Sequence, residues 1–183
     1  MLQGLKTLLE TGQPIGEIPD DGRSPFTPER AADTEWHRTQ GIAANNDTHR
    51  LLDNDKRTDE DDERMTHQVH ASAHHWGIAG TDINRSRAEY MCSRVYSFVG
   101  RAEPALHHAQ RCMDLVVKND VHDWDEAYAH EALARAYACA GDLAKARLHR
   151  QRAETTTIAD LEDRAIVVAE IKTGPWYGLA SWP

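Results

Sequence analysis

The amino-acid sequence predicts an all-α protein built from antiparallel helical hairpins, with six to seven helices in total. Residues that typically begin helices recur along the chain, and the connections between the predicted helices are short. No segment shows the sustained alternation with β-branched residues that is typical of a strand. With 183 residues, 40% of them hydrophobic, the chain is long enough for one ordinary domain with a buried core.

Residues 1–27 are predicted to form an N-terminal arm rather than a long helix. This stretch contains four glycines and three prolines, a density that neither a long helix nor a central strand tolerates. The helical domain is expected over residues 28–172. Residues 173–183, which include Gly174 and Pro175, form the expected C-terminal tail.

Seven helices are predicted from residues that begin and end helices. The side-chain oxygen of an N-cap residue accepts a hydrogen bond from a free backbone N–H of the first turn. Glycine at the other end allows the chain to leave the helix with a positive φ. In chain order, the predicted helices cover about residues 28–52, 58–76, 82–100, 103–118 and 123–141, then a segment from 142, and 160–172.

Each predicted helix starts at a recognisable cap. Two starts match a capping box, in which a cap side chain and a side chain three residues later each bind the other's backbone N–H. Two others have proline close behind the cap, where its missing N–H is no loss. The expected starts are Thr27 with Pro28, Thr58 with Asp61, Asp82, Glu103 with Pro104, Asp123 with Glu126, Asp142, and Asp160 with Asp163.

The charge of the chain argues against nucleic-acid binding. The sequence has 30 acidic and 21 basic residues, a net charge of −9 with histidine neutral, and no basic stripe that would attract a phosphate backbone. No apolar run approaches the roughly 20 residues that span a bilayer, and the first ten residues do not resemble a signal peptide. We therefore expect a cytoplasmic protein that binds neither nucleic acid nor membrane.

Two of the predicted hairpins share a pattern at an offset of 41 residues, when residues 95–106 are aligned with residues 136–147. Small alanines let two helices approach closely, a tyrosine fills the space beside them, and glycine makes the turn without a left-handed penalty. The aligned identical pairs are Tyr96 and Tyr137, Gly100 and Gly141, and Ala105 and Ala146.

This pattern resembles the tetratricopeptide repeat (TPR), although the offset exceeds that family's usual 34 residues. The resemblance implies a TPR-like right-handed array of stacked hairpins. Residues 28–80 would form a degenerate first hairpin, and residues 160–172 a capping helix. Residues 58–172 are also similar to short bacterial TPR-like proteins that carry His-Ala-Ser and His-Trp on the preceding helix, here at 70–72 and 75–76.

The resemblance also implies a groove that binds a peptide or a partner protein, because the first helix of each TPR hairpin lines such a groove. Arginine forks suit a carboxylate or phosphate, and tyrosine rings offer stacking faces. The alternative is that Glu131 and Arg135, four residues apart, simply pair with each other. The matching positions lie three or four residues apart within each helix, and the candidate groove residues are Arg87, Tyr90, Arg94, Tyr128, Glu131 and Arg135.

The 11 histidines suggest a metal site as a different possibility. His67, His70 and His74 lie within roughly 60 degrees of one another on a helical wheel, opposite the apolar face. Imidazole nitrogens are usual ligands of Zn, Cu, Ni and Fe. Glu126 and His130, four residues apart, form a second candidate pair. The alternatives are a solvated face for the first set and a hydrogen-bonded core histidine at position 130.

The cysteines and the other histidines suggest no site of their own. The three cysteines match neither a metal knuckle nor a disulfide framework, so they are expected to be small buried residues in helices. The other histidines are expected on the surface. The cysteines are Cys92, Cys112 and Cys139, and the histidines include His37, His49, His107, His108, His122 and His149.

The leading hypothesis is therefore a non-enzymatic helical scaffold that binds a peptide or partner protein in a polar groove. The alternative is a small metal-binding protein or metalloenzyme on the same scaffold. A third possibility is self-association through a tail that contains Trp176, Tyr177 and Trp182. Phosphate-binding loops, HExxH and GxSxG are missing, so no cofactor is expected beyond a possible transition metal.

Overall fold

A computed structural model describes residues 33–179, and all of these from Thr34 onward lie within one compact unit, Thr34–Pro183. The described residues form seven α-helices and no β-strand, which confirms the all-α prediction. The predicted arm at 1–27, and the helix start at Thr27 with Pro28, lie outside the described residues. In chain order the helices are α1 Thr34–Leu52, α2 Asp59–Ala79, α3 Asp82–Phe98, α4 Ala102–Lys118, α5 Trp124–Cys139, α6 Leu143–Thr155 and α7 Leu161–Lys172.

Three of the predicted helix caps are confirmed. The capping box at α2 is complete, with Asp61 N donating to Thr58 Oγ1 at 3.2 Å and Thr58 N donating to Asp61 Oδ2 at 3.0 Å. Asp142 caps α6 by accepting a hydrogen bond from Lys145 N, and Asp160 caps α7. These starts were predictable because all their donors and acceptors lie within one turn of sequence.

Three other predicted starts are wrong in detail. The N-cap of α3 is Thr81 rather than Asp82, because the Asn84 side chain closes a capping box one residue earlier. Helix α4 begins at Ala102, so proline lies at its third position instead of its first. Asp123 caps α5 through Trp124 N at 2.8 Å, and its other carboxylate oxygen accepts from Ala159 N at 3.1 Å. The predicted box with Glu126 does not form.

Successive helices pack as antiparallel hairpins, α1 with α2, α3 with α4, and α5 with α6. In the first hairpin, Ser72 Oγ in the second half of α2 donates to Gly41 O in the first half of α1 at 2.9 Å. In the second, Ser86 Oγ at the start of α3 donates to Cys112 O late in α4 at 3.3 Å. Helices α2 and α3, α4 and α5, and α3 and α5 also pack together, so each hairpin contacts the next.

The turns that close α3 and α5 have the same geometry. Gly100 and Gly141 both have a positive φ, +73° and +79° respectively, which a residue with a Cβ rarely adopts. In each turn the N–H after the glycine bonds back to the carbonyl five residues earlier, as in a Schellman motif. These bonds join Arg101 N to Tyr96 O at 2.8 Å and Asp142 N to Tyr137 O at 2.9 Å.

The C-terminal tail folds back against α5 and α7 of the same chain. Trp176 is buried, and its Nε1 donates to Ile171 O at 3.1 Å. The Tyr177 hydroxyl donates to Ser97 O on α3. Trp182 lies outside the described residues, and self-association through this tail stays a prediction. Within the described chain, no helix combines the length and apolar character needed to cross a bilayer.

Candidate functional site

A pocket of about 340 Å³ opens where α3 and α5 face α1, α2 and α7. It contains four of the six predicted groove residues, so the structure brings these four together. The predicted residues at the pocket are Arg87, Tyr90, Arg94 and Tyr128. The other walls, which the sequence did not predict, include Asn45 and His49 from α1, Trp76 from α2, Trp124 and Asp125 from α5, and Glu170 from α7.

Glu131 and Arg135, the other two predicted groove residues, do not line this pocket. Both side chains are 0% exposed and form an ion pair with each other, the arrangement that the alternative interpretation predicted. The predicted groove requires both side chains to be accessible to a ligand, and their complete burial corrects that prediction. It arises because α7 and the tail cover this part of α5.

Arg135 binds the backbone of the chain's own C-terminal segment. Its Nη1 donates to Thr173 O and Gly174 O, both at 3.1 Å, and its Nη2 donates to Glu170 O at 2.8 Å. The indole of Trp176 lies 4.4 Å from the guanidinium carbon, a cation–π distance. This arginine therefore holds a turn of polypeptide through carbonyl groups.

Arg94 occupies the equivalent position of the preceding hairpin, 41 residues earlier, but it faces the pocket. Its Nη1 donates to the Tyr90 hydroxyl at 3.0 Å, and its Nη2 lies 2.5 Å from Glu170 Oε2. Its Nε is buried without an acceptor among the described residues. Burial alone would lower the pKa of Arg94, but Tyr90, Glu131 and Glu170 outweigh burial and raise it. The guanidinium is a fixed positive charge, and one of its three nitrogens has no acceptor among the described residues.

The rim of the pocket carries a second, more exposed arginine. Arg87 Nε and Nη2 donate to the two carboxylate oxygens of Asp125 at 2.8 and 2.9 Å. The same guanidinium lies 4.1 Å from the ring centre of Trp124. The Arg87 side chain is 45% exposed, so a ligand at the rim can contact this guanidinium.

Aromatic rings form the inner wall between the two arginines. The rings of Tyr90 and Tyr128 are 5.0 Å apart and tilted, and the ring of Trp124 meets Tyr128 edge-on at 5.8 Å. Burial, followed by the nearby Glu131 charge, raises the pKa of Tyr90 well above its usual value. The pocket therefore combines neutral phenols, indole surface and fixed guanidinium groups, which suits an apolar side chain next to a carbonyl or carboxylate.

No protein-family model, curated protein or solved structure matches this chain. Its function must be inferred from the arrangement of its own residues. The pocket and the histidine clusters are the two features that bear on chemistry.

The predicted histidine face on α2 does not form a metal site by itself. His67, His70 and His74 are all exposed, as expected for a face opposite to the buried Met65 and Val69. His74 lies beside the rings of other histidines, whereas His70 Nε2 is 2.8 Å from the Tyr96 hydroxyl on α3. Among the described residues, neither His67 nor His74 belongs to a group of three converging ligands.

His70 instead converges with two residues of the next hairpin. One ligand atom from each of His70, Cys92 and His108 lies within 4.8 Å of the other two. Cys92 is 0% exposed, in agreement with the expected buried cysteine. His108 was expected on the surface, but it is half-buried, with its ring stacked on Tyr96 at an interplanar angle of 9°. The helical wheel missed this cluster because three different helices contribute to it.

The second predicted metal pair does not converge either. Glu126 Oε2 contacts His122 Nδ1 at 3.1 Å, whereas His130 Nδ1 lies 3.1 Å from His149 Nδ1 on α6. His130 is half-buried between the two helices of its hairpin, the packed position that the alternative interpretation gave it. Burial, reinforced by His149, lowers the pKa of His130 to about 4. It is therefore neutral at neutral pH.

Two more histidines depart from the expected surface location. His37 on α1 is only 4% exposed, and its Nδ1 lies 2.7 Å from Nδ1 of His75 on α2. His149 is half-buried and stacks on Tyr137. Contacts between the two helices of each hairpin cover these rings. Histidine pairs therefore contribute to hairpin packing.

Proposed function

We propose that the chain is a non-enzymatic, TPR-like scaffold that binds an extended segment of a partner protein in the pocket between α3 and α5. The proposal includes a right-handed array of the three hairpins, with α7 as its capping helix. It places the protein in the cytoplasm, where its unpaired cysteines stay reduced. Binding alone accounts for the pocket, so no reaction is assigned to it.

The comparison of Arg94 with Arg135 is the observation that supports this function. Arg135 shows how an arginine at this repeat position binds polypeptide, since three carbonyls of the tail accept its hydrogen bonds. Arg94 has the same repeat position, an open pocket beside it and a buried Nε without an acceptor. An unsatisfied buried donor costs about 1–3 kcal/mol. A carbonyl or carboxylate of a partner segment would remove that cost.

The size and lining of the pocket limit what such a segment presents. A volume of about 340 Å³ is near the lower end of ligand pockets, which hold roughly 300–1,000 Å³. It accommodates one or two side chains rather than a folded element. The rings of Tyr90 and Tyr128 favour an apolar or aromatic side chain, and Arg87 at the rim favours an adjacent carboxylate.

Selection from a displayed library of random peptides on the full-length protein tests this proposal. We expect the selected peptides to combine an aromatic or aliphatic residue with Asp or Glu. The affinity of one selected peptide, measured by fluorescence anisotropy, should fall at least about tenfold in Arg94→Lys, which keeps the charge but loses the fork. Arg87→Ala should weaken binding by about threefold to tenfold through the lost rim contact.

Arg147→Ala provides the matched control, because Arg147 is an exposed arginine on α6, outside the residues that line the pocket. This variant should bind the peptide like the wild type. Circular dichroism should show the same helicity in all three variants. Equal binding by wild type and Arg94→Lys, or selected peptides that also tolerate Arg87→Ala and lack any acidic residue, would refute the pocket as the binding site.

A further inference from the structure

We propose that His70, Cys92 and His108 bind a zinc ion between α2, α3 and α4, at a site separate from the pocket of the proposed function. One ligand atom from each residue lies within 4.8 Å of the others. Tetrahedral zinc, with Zn–N of about 2.0 Å and Zn–S of about 2.3 Å, needs ligand atoms about 3.5 Å apart. The side chains therefore need to close by only about 1 Å, which rotation about their χ angles provides.

A carboxylate already orients one of these ligands. His108 Nδ1 lies 2.6 Å from Glu89 Oε2, and Arg111 Nε donates to Glu89 Oε1 at 2.8 Å. When this carboxylate accepts a hydrogen bond from His108 Nδ1, the Nε2 lone pair of His108 is available for a metal. Histidine ligands of zinc commonly have such a carboxylate partner.

The burial of the thiol favours a metal ligand over a nucleophile. Cys92 is 0% exposed, so a substrate cannot reach its sulfur directly. A thiolate without a nearby cation is disfavoured at such a buried position. Zinc supplies the compensating charge, so binding converts the thiol to a thiolate and releases one proton. His70 is exposed and marks the side from which an ion and a fourth ligand, water, can enter.

The third hairpin, α5 with α6, offers an internal comparison for this site. Its Tyr137 and His149 stack as Tyr96 and His108 do, so the stack itself belongs to the packing of both hairpins. The difference lies in the neighbouring positions, since the second hairpin has a thiol and a carboxylate where the third has an aliphatic group and an imidazole. The substituted pairs are Cys92 with Leu133 and Glu89 with His130.

Metal loading of the full-length chain, prepared without a histidine tag and stripped with a chelator, tests the site. We expect about one equivalent of Zn²⁺ by elemental analysis after dialysis. Co²⁺ should bind in its place and show thiolate-to-metal charge-transfer absorption in the near ultraviolet. That absorption should disappear in Cys92→Ser, and zinc affinity should fall about 10-fold to 100-fold in Glu89→Gln.

Two histidines at the same repeat position provide matched variants. His108→Gln should lower zinc affinity at least about tenfold, whereas His149→Gln, which disturbs the same kind of tyrosine stack, should leave it unchanged. The exposed His70→Gln gives a third test if Cys92→Ser fails to fold. Stoichiometry below about 0.1 equivalent, a cobalt spectrum without the thiolate band, equal losses in His108→Gln and His149→Gln, or binding of copper or nickel but not zinc would overturn the proposal.

Discussion

Replacing Glu131 with alanine should destabilise the fold strongly, because it leaves the buried Arg135 without its counterion. Both side chains are 0% exposed. Removing one partner of a buried ion pair typically costs about 3–5 kcal/mol. Arg135 keeps three carbonyl acceptors at 2.8–3.1 Å and the ring of Trp176 at 4.4 Å, which stabilise its charge in part. We therefore expect a loss near the lower end, about 3 kcal/mol.

Equilibrium unfolding in urea, followed by far-ultraviolet circular dichroism, measures this loss. With a slope of about 2 kcal/mol per molar urea, the midpoint should fall by about 1.5 M in Glu131→Ala. Arg50→Ala removes an exposed partner of Asp47 on α1 and should cost less than about 0.5 kcal/mol. Glu131→Gln, which retains an acceptor without the charge, should lie between these two variants.

The double variant Glu131→Ala with Arg135→Met separates charge burial from packing. Methionine places no charge in the core, so the double variant should cost less than the sum of the two single changes. It will not recover the full stability, because the carbonyls of residues 170, 173 and 174 lose their donor. A loss below about 1 kcal/mol in Glu131→Ala, or strict additivity in the double variant, would refute the argument that Glu131 neutralises a buried charge.

Three further changes test the turns, the histidine packing and the tail. Gly141→Ala should lower the free energy of unfolding, measured in urea, by about 1 kcal/mol because φ is +79°. Gly77 lies in helix α2 with free space around it, so Gly77→Ala should raise the free energy of unfolding by about 0.5–1 kcal/mol. Lowering the pH from 7 to 4 should destabilise the protein, since the unfolded chain protonates His130 below about pH 6.5 and the folded chain only near its pKa of about 4. His130→Gln should therefore flatten the pH dependence of the urea midpoint. Trp176→Ala should cost about 3–5 kcal/mol and speed hydrogen exchange at the end of α7.

Local sequence signals predicted most of the helices and the repeated turn. Thr58, Asp142 and Asp160 cap helices through contacts within a few residues, so the sequence alone contains the necessary information. Asp123 is different, because one of its oxygens caps α5 while the other reaches Ala159 before α7. Contacts with a distant segment determine that geometry, and a motif read along the chain does not include them.

The difference between local contacts and contacts with distant segments also explains which parts of the pocket could be predicted. The spacing of Arg94 and Arg135 makes them equivalent in sequence, and four of the six candidate residues do meet at one pocket. Only the path of residues 170–176 decides that the tail covers Arg135 while Arg94 lines the pocket. The covering segment begins 35 residues after Arg135, where no local periodicity links it to α5.

The two proposed sites lie on opposite faces of α3, which makes their tests independent. Residues two positions apart on a helix point about 200° from each other. Glu89 and Cys92 belong to the face towards α4, whereas Tyr90 and Arg94 belong to the face towards the pocket. A variant such as His108→Gln should therefore change zinc affinity without removing any group that lines the pocket, and Arg94→Lys should do the reverse. Loss of both zinc binding and peptide binding in either variant would show that α3 itself had been displaced. Helicity and urea midpoints distinguish that result from the loss of a single ligand.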